Sequence, residues 1–394
     1  MNRTTALLLN AAHTLDHLVL LIFASALTAI ASDFGIARWE DLMPCTAGAF
    51  LMFGLGSIPA GRLGDLWGRR RMMLVFFAGI ASSCVAVSLS GSPLQMAVAL
   101  TVLGTFASIY HPVGIPMLLR HAARPGLTIG LNNVAGNCGI AIAALLTGFM
   151  VKVAGWRAAF LLPALIAGLL GVMFARSAPS EVEAPAGARR DSGHAPLPRP
   201  LLMRALAVMT LAAISGSLLF NFTTNGNFEL LRERFTPVSS DPALLGGLLA
   251  LVYVLAATSQ VVVGLCVERV AMKPLFFSLA VTQVGFLALA ARTEGWTFYA
   301  SLLGCMVSIF AVIPFGDLVL ARYVEDGVRS RISGARIAIA FGVGALAVYL
   351  LGPIVKAAGF ATLLNAMAVI AATTALTFLW LPHESVFAAA RRAP

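Results

Sequence analysis

Charged residues are scarce in this sequence: Asp, Glu, Lys and Arg make up only 11% of its 394 residues, whereas hydrophobic residues make up 59%. A soluble protein of this length would need far more polar surface to cover its core. The apolar residues lie in long continuous runs, and a helix needs about 20 of them to cross a bilayer. The composition predicts an all-α integral membrane protein, because the strands of a transmembrane barrel would alternate polar and apolar residues.

Other missing features narrow the function. No CxxC spacing occurs among the five cysteines, so neither a disulfide framework nor a thiolate metal site is predicted. No GxxxxGK(S/T) phosphate loop occurs, so ATP is not the expected energy source. The six histidines are too scattered for a membrane oxygenase or desaturase, and no soluble signalling domain of a transport-inactive sensor is visible. We therefore predict no cofactor and no enzyme activity.

The apolar runs form two sets of six. They fall near 5–31, 41–61, 72–91, 94–119, 127–152 and 156–175, and near 201–231, 242–264, 273–291, 296–321, 332–356 and 359–381. The stretch between the sets, residues 176–200, is rich in proline and lacks an apolar pattern, which predicts a flexible linker. The predicted domains are an N-terminal six-helix bundle (1–175), the linker, and a C-terminal six-helix bundle with a short tail (201–394).

The basic residues predict the orientation. Most of the 27 Lys and Arg residues fall on the side shared by the N-terminus, the linker and the C-terminus. Because loops rich in Lys and Arg stay in the cytoplasm, we expect a multi-pass protein of the cell inner membrane with both termini cytoplasmic. The net charge of +10 is thus a topology signal, and a lipid bilayer rather than a nucleic acid is the expected partner.

The two halves also repeat. A shift of 204 residues places three residues of the first half, Gly148, Lys152 and Gly155, over Gly352, Lys356 and Gly359. A similar shift places Asp65 over Glu268. These matches indicate a duplicated six-helix unit, and duplicated transporter halves place the substrate site between the repeats near the membrane midplane.

The stretch "GRLGDLWGRRR", residues 61–71, resembles the signature loop of the major facilitator superfamily, G-x-L-x-D-x-x-G-R-(R/K)-(R/K). The positions that agree are Gly61, Leu63, Asp65, Gly68, Arg69, Arg70 and Arg71. The resemblance implies twelve transmembrane helices in two pseudo-symmetric bundles that rock around a central cavity. It also implies that this loop is a conformational gate, in which Asp65 helps to hold the cytoplasmic side shut and Glu268 is its counterpart in the second half.

A weaker resemblance, to the drug-efflux and fosmidomycin-resistance branches, rests on "YHPVG", residues 110–114. The antiporter signature of helix five is only partly matched by "GNCGIA", which begins at Gly136, because Asn137 stands in place of its proline.

The first apolar run carries three ionisable residues, His13, Asp16 and His17, whose spacing places them on one helix face. A charge at mid-membrane costs about 2.5–3.5 kcal/mol on insertion scales, so these residues are expected to face water or a partner. Because imidazole titrates near neutral pH, they predict a site that binds protons or substrate. A structural hydrogen-bond cluster is one alternative. A metal ion held by His13 and His17, with Asp16 or His111 as third ligand, is another; no metal site is predicted, since such pairs are common without metal.

The family resemblance implies that helices one, four, seven and ten line the pathway, where further polar residues are concentrated. The candidates for proton or substrate binding are Tyr110 and His111 on helix four, Asn221, Asn225 and Glu229 on helix seven, and Asp317 on helix ten, together with Asn137 on helix five and Arg336 on helix eleven. For Asp317 and Arg336, an ion pair that gates the pathway is an equal alternative.

We therefore predict a monomeric secondary active transporter that moves a small organic molecule by alternating access, with protons as the coupling ion and efflux as the direction. One alternative is a proton-coupled importer of an organic anion, a sugar, a metal or a metal chelate. An integral-membrane enzyme is the lower alternative.

Overall fold

The computed structural model of the chain describes residues 3–120, 122, 124–178, 198–324 and 326–382. Every regular element within these ranges is a helix. The predicted linker, 176–200, lies for the most part outside the described residues.

The helices follow the predicted runs closely. The first six are α1 (Arg3–Asp33), α2 in two pieces (Ala47–Leu55 and Ser57–Trp67), α3 (Arg69–Ser88), α4 (Pro93–Leu119), α5 (Pro125–Ala154) and α6 (Trp156–Ser177). The next four are α7 (Arg199–Phe235), α8 (Pro242–Cys266), α9 (Met272–Ala290) and α10 (Gly295–Tyr323). A last helical stretch, Asp326–Leu379, contains α11 and α12, which meet at Gly359.

The number of spans agrees with the twelve predicted. In the described part of the chain, ten helices are long and apolar enough to cross a membrane, and the two pieces of α2 bring the number to eleven. The 48-residue helix Ile332–Leu379 would be about 72 Å long if straight, more than twice the roughly 30 Å hydrocarbon core. Gly359 breaks it with φ 74° and ψ 167°. The division at Gly359 gives twelve spans, and the prediction of an all-α membrane fold is confirmed.

Local sequence explains where helices begin and end. Ser92 accepts a hydrogen bond from the Gln95 backbone N–H at 3.3 Å, and Pro93 occupies the first turn of α4, which is a favourable helix start. Gly155 separates α5 from α6 with φ 82° and ψ 167°, nearly the same backbone conformation as Gly359. Only glycine adopts this conformation readily. The two turns therefore support the duplication predicted from the sequence.

The described residues form two compact units. The first contains residues 3–178 together with 221–254 and 344–357, and the second contains 198–220, 255–343 and 358–382. In the first unit α1 is the central helix, and its side chains Leu9, Val19, Ile22, Phe23 and Leu27 are fully buried. The predicted division into bundles 1–175 and 201–394 stays a prediction.

The core of the second unit contains a cluster of three aromatic rings, one each from α9, α10 and α12. The ring centroid of Phe315 lies 4.8 Å from that of Phe276 and 4.7 Å from that of Phe378. These edge-to-face contacts connect three helices of that unit.

We expect Gly155→Ala and Gly359→Ala each to destabilise the fold by about 1–3 kcal/mol, the usual cost of a residue held in a glycine-only conformation. A Cβ at either position would meet nothing within 4 Å, so the cost comes from the backbone alone. Gly285→Ala is the matched control, because Gly285 also has open space around it but lies inside α9. Thermal unfolding in detergent checks this, and equal melting temperatures for all three variants would contradict it.

Candidate functional site

Helices α1 and α4 bring four ionisable side chains together: His13, Asp16, His17 and His111, here called the histidine–aspartate cluster. The Nε2 atoms of His13 and His17 are 3.1 Å apart, and His111 Nε2 lies 3.5 Å from Asp16 Oδ2. One ring nitrogen from each of the three histidines lies within 4.8 Å of the others. The residues that the sequence placed on one face of α1 therefore meet the predicted helix-four histidine.

A local irregularity of α4 orients His111. Residues Tyr110–Gly114 form a single π-helical turn that contains Pro112. Proline cannot donate a backbone hydrogen bond, and π turns inside helices recur at functional sites because they redirect a side chain. A Cβ on Gly114 would lie 2.7 Å from the Tyr110 ring, so a larger residue there would have to displace that ring. The π-helical turn of the "YHPVG" stretch thus orients the His111 side chain toward Asp16 of α1.

A residue that the sequence analysis did not select, Asn132 of α5, supports the cluster. Its backbone carbonyl lies 2.7 Å from His13 Nδ1, and its side-chain amide donates to the Tyr110 hydroxyl at 2.6 Å and to Asn10 Oδ1 at 3.1 Å. The Tyr110 ring stacks on His13 with centroids 4.7 Å apart. Asn132 is buried, whereas Asn133 beside it is exposed, and the sequence alone does not distinguish the two.

Small residues let α5 approach α1 closely. A Cβ on Gly136 would lie 2.7 Å from the His13 ring, and one on Gly139 would overlap the Thr14 carbonyl oxygen. The Thr14 hydroxyl donates to the Ala135 carbonyl at 2.8 Å. Such close approach at small residues is a usual packing mode of transmembrane helices. The "GNCG" stretch is therefore where the α5 backbone meets the cluster, whereas Asn137 is half-buried with no hydrogen-bond partner among the described residues.

Asp16 has an unusual environment. Its side chain is fully buried, and neither carboxylate oxygen has a hydrogen-bond partner within the described residues. The Nε2 atom of His111 lies 3.5 Å from its Oδ2 atom. A buried carboxylate without donors costs several kcal/mol unless it gains a proton or a cation. The described residues around Asp16 therefore do not supply the hydrogen bonds that a buried carboxylate needs.

A second polar group, on α7, lies apart from the cluster. Glu229 is buried and accepts from the Thr28 hydroxyl at 2.7 Å, the Thr28 backbone N–H at 3.1 Å and Arg232 Nε at 2.6 Å. Thr28 comes twelve residues after Asp16, about 18 Å along α1. Glu229 thus links α7 to α1 through hydrogen bonds to a charged group.

The amides predicted as ligands on α7 have mixed environments. The Asn225 side chain donates to the Asn221 carbonyl at 3.1 Å, and its Oδ1 atom has no hydrogen-bond partner in the part of the chain described. Asn227 lies 3.5 Å from the Tyr253 hydroxyl of α8.

In the second unit, Asp317 and Arg336 bind one another. Arg336 donates to the Asp317 carboxylate at 2.5 Å, and this contact joins α10 to α11. Gly316 makes room for it, since a Cβ there would lie within 2.9 Å of the Arg336 Cζ atom. The ion pair that the sequence analysis gave as one alternative is present; whether it gates the pathway stays a prediction.

The signature loop contacts its own unit. Arg70 donates to the carbonyls of Ala178 at 2.9 Å and Ala175 at 2.6 Å, next to the end of α6. Asp65 is 77% exposed, and Arg69 lies 3.9 Å from it.

The glycines of the signature loop allow close contact and a turn. A Cβ on Gly61 would lie 3.3 Å from Pro112, so the loop passes close to α4. Gly68 turns the chain with φ 91°, and Glu268 is exposed. The gate role of this loop stays a prediction.

Two ion pairs in the first unit occupy equivalent places in the two repeats. Lys152, at the end of α5, pairs with Asp241 before α8, and Lys356, at the end of α11, pairs with Asp41 before α2 at 2.5 Å. We call them the latch pairs. An odd number of spans separates each of them from the N-terminus, so they lie on the side opposite the N-terminus. Beside them, a Cβ on Gly148 would overlap the Pro242 carbonyl oxygen.

Asp241 has two functions in its latch pair. It accepts the Ala243 backbone N–H at 2.8 Å at the start of α8, as a helix cap does. The hydrogen bond from Lys152, with smaller contributions from the backbone N–H groups, lowers the pKa of Asp241 below its ordinary value. The carboxylate is therefore ionised at neutral pH, and the pair is lost only as the pH falls through that lowered pKa.

These features define the class: an all-helical, multi-pass membrane protein with a polar cluster at its central helix and paired charges at one end. A profile of the Major Facilitator Superfamily matches residues 9–335, and the chain belongs to that family. This membership makes it a membrane transporter and not an enzyme, as the sequence predicted.

Two curated relatives carry names that refer to export or transport. The chain is 34% identical over 165 residues to the "Tetracenomycin C resistance and export protein" of Streptomyces glaucescens, a stretch that covers 40% of this chain and 30% of that protein. It is 28% identical over 169 residues to the "Probable actinorhodin transporter" of Streptomyces coelicolor, covering 40% and 28%. The matched stretch spans less than a third of the length of either relative.

Solved structures share the fold over nearly the whole chain. A bacterial homolog of the human lysosomal transporter Spinster, in an inward-facing and occupied conformation, has a TM-score of 0.77 at 14% identity and covers 99% of this chain and 98% of that one. A D-xylose-proton symporter has a TM-score of 0.73 at 13% identity and covers 96% of both chains. At these identities the likeness establishes the fold alone.

We expect the double variant Asp41→Asn/Asp241→Asn to loosen the end of the molecule that carries the latch pairs. Asparagine keeps a good cap for α8 but removes both charges. In a background without the native cysteines, a cysteine at Asn225 should then react several-fold faster with an impermeant maleimide outside cells. Lower pH should also speed the labelling of a cysteine at Asn225 when both aspartates are kept, because protonation of Asp241 breaks its ion pair with Lys152.

Asp33→Asn is the matched control, because it removes the Asp33–Arg157 ion pair between α1 and α6 without touching the latch pairs. Equal labelling rates for the double variant, the control and the parent would show that the latch pairs do not restrict access.

Proposed function

We propose that the chain is a monomeric inner-membrane exporter of small organic molecules that works by alternating access and is driven by protons. The observation that carries this proposal is the buried Glu229 link between α7 and α1. A transporter that couples to protons needs an acid whose charge controls a contact between moving helices. Glu229 meets that requirement, because it is buried and bonded to Thr28 of α1.

Protonation of Glu229 would change that contact directly. As a carboxylate it accepts three hydrogen bonds, and charge-assisted bonds of this type are roughly twice as strong as neutral ones. Arg232 is the charged group that faces it, and Thr28 contributes a backbone N–H and a hydroxyl that do not titrate near neutral pH. A proton on Glu229 would weaken the bonds to both partners. The proposed cycle releases α7 from α1 when Glu229 binds a proton, and restores the contact when the proton leaves.

The polar groups around the pathway favour a neutral or weakly charged molecule. The histidine–aspartate cluster offers imidazoles, Tyr110 beside it offers a phenol, and α7 offers amides. The Arg336 guanidinium is paired with Asp317. An anion of high charge would therefore find few deep cations. The name of the Streptomyces glaucescens relative supports export as the direction, and the names of both relatives supply compounds with which to begin.

We expect Glu229→Gln to lose proton-driven transport. A hydrogen bond to a charged group contributes about 1.5–3 kcal/mol, so its loss corresponds to roughly a tenfold to hundredfold change in the coupled equilibrium. Inside-out vesicles with an acid interior, tested with tetracenomycin C and actinorhodin, should accumulate the compound with the parent chain. Glu229→Gln should abolish this accumulation but keep exchange of compound across the membrane, which needs no net proton movement.

Glu233→Gln is the control, because Glu233 lies on the same helix, is half exposed and pairs with Arg234. It should transport as the parent does. Accumulation by Glu229→Gln equal to that of the parent would refute the assignment of Glu229. If the parent chain accumulates the compound to the same level with and without a pH gradient, proton coupling itself is refuted. If the compound moves only out of the inside-out vesicles, export is refuted.

A further inference from the structure

We propose that His13, His17 and His111 bind one first-row transition-metal ion, each through one imidazole nitrogen, with the Asp16 carboxylate as its counter-charge. The proposal does not depend on the direction or the driving force of transport. It rests on the spacing of the ligand atoms, on the hydrogen bond that orients His13, and on the unpartnered buried atoms at this place.

The spacing fits a tetrahedral ion. Zinc–nitrogen bonds of about 2.0–2.1 Å place two ligands of a tetrahedral site about 3.3 Å apart. The Nε2 atoms of His13 and His17 are 3.1 Å apart, and His111 Nε2 is 3.5 Å from Asp16 Oδ2. The three histidine ligand atoms all lie within 4.8 Å of one another. Small rotations of the rings would let all three nitrogens reach one ion.

The environment of His13 presents a free lone pair to the ion. Its Nδ1 lies 2.7 Å from the Asn132 carbonyl, which can only accept, so Nδ1 carries the proton. In the neutral ring Nε2 is then an acceptor and faces His17. A carbonyl behind a ligating histidine is a common device in metal sites, because it sets the tautomer and the ring orientation. Without metal, the Nε2–H group of His17 donates a hydrogen bond to His13 Nε2. When the metal binds, His17 changes tautomer: its proton is then on Nδ1, its Nε2 is free to bind the ion, and the ring stays neutral.

Two unpartnered groups indicate that something is bound here. His111 Nε2 and both oxygens of Asp16 are buried and have no hydrogen-bond partner among the described residues. A purely structural hydrogen-bond cluster would leave these atoms unsatisfied. A divalent cation would coordinate His111 and neutralise the Asp16 charge. Imidazole ligands favour Zn²⁺, Cu²⁺, Ni²⁺ or Co²⁺, whereas Mg²⁺ and Ca²⁺ prefer oxygen ligands.

The site is preorganised and reachable. Gly136 holds the α5 backbone against the His13 and His17 rings, so these rings have little room to turn away. His13 is buried, but His17 and His111 are half-buried, which leaves a path for the ion on their side. Phe53 of α2 borders that side, with its ring 5.6 Å from the His111 ring.

X-ray absorption on the whole purified chain in detergent, produced without a histidine tag and loaded with Zn²⁺, tests the proposal. We expect one ion per chain and a first shell with about three imidazole nitrogens at about 2.0–2.1 Å. Replacement of Zn²⁺ by Co²⁺ should give the strong visible absorption of a tetrahedral site. An ion with one imidazole or none, or no binding in a one-to-one ratio, would overturn the proposal.

Variants identify the ligands. His17→Gln and His111→Gln should each weaken Zn²⁺ binding by a factor of about ten or more, since loss of a supporting group alone costs about 10–100-fold. His194→Gln and His383→Gln, which lie outside the described residues, are the matched controls and should bind as the parent does. Equal weakening in controls and cluster variants would overturn the assignment. If a cluster variant fails to fold, the spectrum of the parent chain still decides.

Discussion

The structure depends on one constraint: a polar group inside a membrane must find its partner within the protein. Backbone groups meet this requirement through helices, and small residues such as Gly136 and Gly139 then let those helices pack closely. Side chains meet it through the polar contacts of α1. His13 contacts α5 through Asn132, and Thr28 holds Glu229 of α7. Asp16, on the same central helix, does not meet it, because neither of its carboxylate oxygens has a hydrogen-bond partner among the described residues.

Duplication explains why the end with the latch pairs is built as it is. The two repeats supply the same parts: a glycine for close approach, a lysine four residues later, and a glycine turn with positive φ after it. Each lysine binds an aspartate that precedes a helix of the other repeat. Exposed ion pairs contribute little stability on their own. We propose that in this transporter they hold a contact that breaks and re-forms.

Much of this could be predicted from the sequence, because it rests on local patterns. The twelve runs, the glycine repeat and the shared face of His13 and His17 all follow from spacing along one chain. The contacts between helices could not be predicted. The direction in which the π turn of α4 points His111, and the contact of the Asn132 carbonyl with His13, depend on backbone geometry that the side-chain pattern does not specify. The latch aspartates Asp41 and Asp241 are 200 residues apart, whereas the latch lysines Lys152 and Lys356 are 204 apart. An alignment of the two halves with a single shift therefore does not match the aspartates.

The central claim is that the end with the latch pairs opens and closes during transport. Spin labels at Val153 of α5 and Leu244 of α8, both exposed, report on it directly through their distance distribution. The account predicts one short distance at neutral pH, and a second, longer distance whose population grows as the pH falls through the lowered pKa of Asp241 and its ion pair with Lys152 is lost. A single distribution that stays unchanged with pH would contradict it.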